Sequence, residues 1–90
     1  MVLAKITERF LIKGRGTVVV INAKTDLPIG RCLEAKILQH AGKTETFDAW
    51  KEWLLRRSKE PLEDEGFLIV GATIEQIPIG GSIKLQIKDN

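Results

Sequence analysis

The sequence predicts a mostly all-β fold: a small closed antiparallel β-barrel of about six strands, with one α-helix inserted in a connection. Three observations predict it. Short runs of alternating or β-branched apolar residues recur along the chain. Glycine and proline punctuate those runs at close intervals. Ninety residues also form one small domain, spanning 1–90, in which many short strands protect their edges best by closing on themselves.

The first strand runs from Lys5 to Lys13. Ile6, Phe10 and Ile12 alternate with Lys5, Arg9 and Lys13, a period of two that marks a half-buried strand. Glu8 falls on the apolar side, which predicts a strand end or a bulge beside it. Gly14-Arg15-Gly16 breaks the run, because glycine reaches backbone angles closed to other residues and weakens strand interiors. Thr17-Val18-Val19-Val20-Ile21 is β-branched throughout and reads as a strand buried on both sides. Thr25-Asp26-Leu27-Pro28-Ile29-Gly30 is turn chemistry, followed by a third strand in which Leu33, Ala35 and Ile37 alternate with Glu34 and Lys36.

The helix is expected over about 47–59. Phe47, Trp50, Trp53 and Leu54 fall at helical spacing, with Lys51, Glu52, Arg56 and Arg57 on the other side. Thr46 suits an N-cap with Asp48 in the first turn, Arg56, Arg57 and Lys59 complement the C-terminal dipole, and Pro61 ends the segment. An acidic loop at Glu60–Glu65 leads to a strand over Gly66–Gly71, and Ile83, Leu85 and Ile87 alternate in the last one. Leu27-Pro28-Ile29-Gly30 is echoed by Ile77-Pro78-Ile79-Gly80, each followed by an alternating strand, so one turn-into-strand device serves two places.

The order of these pieces resembles the second-domain β-barrel of translational GTPases, the barrel that follows the nucleotide-binding domain in elongation factors of the Tu type. The resemblance rests on Phe10 and Gly14-Arg15-Gly16-Thr17-Val18-Val19, then Pro28-Ile29-Gly30 before Leu33–Ile37, Gly66-Phe67-Leu68-Ile69-Val70-Gly71, and Ile77-Pro78-Ile79-Gly80. It spans about residues 8 to 88. The chain departs from that family's form where Val20-Ile21-Asn22-Ala23 replaces a second Gly-Arg kink, in the segment carrying Trp50 and Trp53, and in lacking the GTPase domain. The resemblance implies a barrel surface that contacts ribosomal RNA or the acceptor end of aminoacyl-tRNA.

The bulk chemistry points away from several function classes. Hydrophobic residues at 43% and charged residues at 29% are those of an ordinary globule, and a net charge of +2 is a slight basic lean. One cysteine, Cys32, forms no intrachain disulfide, and the charged N-terminus lacks a signal-peptide core. No run approaches the roughly 18 apolar residues of a membrane span, so a cytoplasmic location is expected. Gly42-Lys43-Thr44 lacks the upstream glycine of a phosphate loop, position 37 being Ile, so no nucleotide is expected. His40 and Cys32 make no zinc set, Glu63-Asp64-Glu65 makes no calcium loop, and one histidine defines no triad. Neither a cofactor nor catalysis is therefore expected.

Binding is the remaining class. Trp50 and Trp53 could form an interface hot spot or plug the end of the barrel. Arg56 and Arg57 beside them could meet phosphate or an acidic protein, or form a solvated face. Arg15, flanked by glycines that permit close approach, offers a planar fork for phosphate or carboxylate, or simply rides on a bend that closure requires. The expectation is a non-catalytic stand-alone module binding RNA or a ribosome-associated partner. The alternative is a protein-only interaction module: an inhibitor, an immunity-type protein or a complex-assembly subunit. A homodimer burying both tryptophans is compatible with either.

Overall fold

The computed structural model describes residues 2–39, 42–52 and 64–88. Six strands are formed: β1 (Val2–Ile12), β2 (Gly16–Asn22), β3 (Leu33–Leu38), β4 (Thr44–Glu52), β5 (Asp64–Val70) and β6 (Ser82–Ile87). They close in the order β1-β2-β5-β4-β3-β6, with every neighbouring pair antiparallel. Closure leaves no strand as an unpaired edge, which is how so small a sheet avoids templating other chains.

The predicted helix is not formed where it was expected to begin. Residues 47–52 belong to β4, and among the described residues the one helical piece is a 3-10 turn at Ile74–Gln76. Thr46, the expected N-cap, is mid-strand opposite Lys36. In β4 Ala49 is fully buried and Phe47 packs against the core, whereas Trp50 lies outside. Tertiary demand explains the reversal, because β3 and β5 each need a partner and β4 joins them. Trp53, Arg56, Arg57 and the rest of the expected helix to Lys59 lie outside the described residues.

A second correction concerns β1. Its register against β2 slips by one residue between Ile6, opposite Ile21, and Glu8, opposite Val20. This is the bulge that Glu8 predicted. An extra residue reverses which side chains face in. Ile6 therefore points into the barrel with Ile21, while Phe10 pairs with Val18 on the outer side. Ile6, Phe10 and Ile12 do not share a face, as strict alternation would have it.

The interior is filled by Ile6, Val19, Ile21, Leu33, Ala35, Ile37, Ala49, Phe67, Ile69, Ile83 and Leu85, all buried. The two echoed turns close its ends. Leu27 and Ile77 are both buried, Ile29 and Ile79 are both exposed, and Gly30 and Gly80 have φ of 85° and 80°. Because β3 and β6 are antiparallel neighbours, the loops that feed them stand at opposite ends of the barrel. Burying such a side chain contributes about 1.5–3 kcal/mol. Polar groups hold the plugs in place. Arg9 Nη1 donates to the carbonyls of Ile74 (2.9 Å) and Ile77, and buried Thr17 donates to the carbonyl of Ala72 at 2.8 Å.

The other end is held by charge. Lys51 Nζ lies 2.9 Å from Glu65 Oε1 and donates to the Leu27 carbonyl, and Glu65 accepts from the backbone N–H and hydroxyl of Thr25. Burial alone would raise the Glu65 pKa, but the hydrogen bonds from Thr25 and Lys51 and the Lys51 charge outweigh it and hold it below the ordinary 4.5.

The two glycines of Gly14-Arg15-Gly16 do different work. Gly14 (φ 82°) is a turn residue with open space where a Cβ would stand. Gly16 (φ 146°) lies against β5, where a Cβ would overlap the Ile69 carbonyl oxygen and stand 2.8 Å from the Gly71 nitrogen. Gly14→Ala should therefore cost about 1 kcal/mol of stability, and Gly16→Ala on the order of 3 kcal/mol or more, in denaturant unfolding. Equal costs would contradict the close approach. The lowered Glu65 pKa makes a pH prediction of fixed sign. A carboxylate bound more acidic in the folded state stabilises fully above its unfolded pKa, and that stability is lost as pH falls through the folded value. The melting temperature of the native protein should thus drop on acidification below about pH 4.5 more steeply than that of Glu65→Gln.

Candidate docking face

Side chains alternate along each strand, so closure lines up those that point outward into rows across the barrel. One row is apolar across four strands: Phe10 on β1, Val18 on β2, Leu68 on β5 and Trp50 on β4, each directly opposite the next. The next row holds Ile12, Gly16 and Val70. On the far side the row reads Glu8, Val20, Gly66 and Glu52. Val18, Val20 and Leu68 are buried without joining the interior cluster, whereas Phe10, Trp50 and Val70 keep 45%, 37% and 40% of their surface exposed. Gly16 and Gly66 leave no side chain above the sheet. Val18, Val20 and Leu68 are covered, so the apolar area left open on this side is that of Phe10, Ile12, Trp50 and Val70.

The rim carries charge. Arg15, in the turn between β1 and β2, reaches to β4, where its Nη2 lies 3.5 Å from Glu52 Oε1. Both side chains are substantially exposed, so this pair contributes little to stability. Asp48, outward on β4 like Trp50, accepts from Lys88 Nζ at 2.6 Å. The rim of the apolar rows thus carries paired charges, Arg15 with Glu52 and Lys88 with Asp48.

Of the residues predicted to bind a partner, Arg15 and Trp50 come together on this side of the barrel. Trp53, Arg56 and Arg57 lie outside the described residues. Phe10, Val18, Val70 and Leu68 were not foreseen as outward neighbours of Trp50. The signal for Phe10 was Glu8, whose place on an apolar face betrays the bulge that turns Phe10 out. Val18 and Leu68 meet Trp50 only through cross-strand register, which leaves no local mark in the sequence.

Other chemistries find less to build on. Gly42 and Lys43 lie in the connection from β3 to β4, with the Gly42 N–H donating to the Gln39 carbonyl at 3.0 Å. Among the described residues, no three His, Cys, Asp or Glu side chains are gathered to hold a metal ion, and no helix is long and apolar enough to cross a membrane. Cys32 is half-buried. No protein-family model, curated protein or solved structure matches the chain.

Proposed function

We propose that this barrel is a non-catalytic binding module that docks a protein partner through its outer apolar face. The observation that carries this reading is the in-register row Phe10, Val18, Leu68 and Trp50, apolar across four strands and aromatic at both ends. Phe10 and Trp50 keep 45% and 37% of their surface exposed, and large aromatic side chains of this kind are where interface binding energy concentrates. Four exposed apolar residues on one side of the barrel, Phe10, Ile12, Trp50 and Val70, also favour a protein partner.

The resemblance to the translation-factor barrel favours RNA or a ribosome-associated protein as the partner. That likeness is one of fold pattern, a weak warrant for function. The charges around this face are paired, Arg15 with Glu52 and Lys88 with Asp48, so it carries no basic stripe of the kind that phosphate contacts need. The partner that fits is a protein that covers Phe10 and Trp50 with apolar side chains. A protein-only interaction module is therefore the preferred form of the proposal.

Phe10→Ser, Trp50→Ser and Arg15→Ala, each checked for folding by its amide NMR spectrum, test it by affinity purification from the source cells. One protein should copurify with the native chain and with Arg15→Ala in stoichiometric amount. Phe10→Ser and Trp50→Ser should each lose about 2 kcal/mol of binding, roughly thirtyfold. Undiminished recovery by both serine variants, or steeply salt-dependent binding to RNA in place of a protein, would contradict the proposal.

A further inference from the structure

The opposite side of the barrel has another character. There the outward row across four strands is Leu3 on β1, Lys84 on β6, Lys36 on β3 and Thr46 on β4. Lys36 and Lys84 are directly opposed cross-strand neighbours. Like charges in that relation destabilise a sheet, whereas hydrophobic or opposite-charge pairs would support it. Glu34 relieves Lys36 in part, with its carboxylate 3.7 Å from the ammonium, but it also accepts from Gln86 Nε2 at 2.9 Å. Among the described residues Lys84 has no ion-pair partner.

The two lysines border a cleft of about 560 Å³, whose other walls are Leu3, Leu38, Thr44 and Ser82. Leu3 and Leu38 are well exposed. The hydroxyls of Thr44 and Ser82 can donate hydrogen bonds, and the ammonium groups can donate more. A dianion between Lys36 and Lys84 would turn a repulsive pair into two attractive ones. The leucines would meet whatever apolar group carries it.

We infer that this cleft is a binding site for a phosphate-class dianion on an apolar body, held between Lys36 and Lys84. It is separate from the apolar docking face and independent of that reading. Phenyl phosphate and inorganic phosphate, titrated into the isotope-labelled protein at about pH 8, where both are dianions, provide the test. Saturable shifts should be confined to the amides around Lys36, Ser82 and Lys84, with phenyl phosphate binding the tighter of the two. Lys84→Gln should weaken phenyl phosphate about tenfold. Without ligand, the same variant should melt at a higher temperature, because the like-charge pair is gone. Phe10→Ser and Trp50→Ser should bind phenyl phosphate as the native chain does. Absence of saturable shifts, or native affinity in Lys84→Gln, would overturn the site. Equal affinity for the two phosphates would overturn the apolar-body assignment.

Discussion

The register slip between Ile6 and Glu8 decides what the first strand offers to each side of the sheet. Before the slip, Val2, Ala4 and Ile6 face the interior and meet β6 and the core. After it, Arg9 takes the inner position opposite Val19, and Phe10 takes the outer one opposite Val18. Without the extra residue Phe10 would compete for the interior with Phe67, and Arg9 would lose the carbonyls of Ile74 and Ile77 that it now caps. A single insertion thus fills the barrel, anchors one plug and builds one end of the apolar row. Bulges have this capacity because strand periodicity is two, so one residue reverses every side chain beyond it.

The closed topology then separates two outer faces of unlike chemistry. Across β1, β2, β5 and β4 the outward positions are apolar at the centre, with the ion pairs Arg15–Glu52 and Lys88–Asp48 at the rim. Across β1, β6, β3 and β4 they carry Lys84 and Lys36 between leucines and hydroxyls. The Gly14-Arg15-Gly16 hairpin belongs to the first face. Its glycines are structural, one for a turn and one for the approach of β2 to β5, and its arginine is tied to Glu52 at the surface. Closure is made possible by two copies of one plug, Leu27 and Ile77, each followed two residues later by exposed isoleucine and then by a left-handed glycine.

Much of this was legible in the sequence. The β-branched run Thr17–Ile21 is buried on both sides as its composition implied, the alternating runs of β3 and β6 face as their periods require, and the Leu-Pro-Ile-Gly echo is a real repeat of structure. Two features were not legible. Phe47 and Trp50 stand three apart, which fits a helix, but they lie on opposite faces of a strand because β4 must join β3 to β5. The candidate face likewise depends on which residue of β2 meets which of β5. Cross-strand register is fixed by closure of the whole barrel, and no window of neighbouring residues records it.

The claim on which the rest depends is that Ile6 and Phe10 lie on opposite sides of the barrel wall. Side-chain NOEs measure this directly. The structure predicts contacts from the Ile6 methyls to Ile21 and other core side chains, and from the Phe10 ring to the Val18 methyls but not to Val19 or Phe67. NOEs from the Phe10 ring to Val19 and Phe67 would mean that β1 runs without its slip, and would contradict both the core and the apolar row described for this protein.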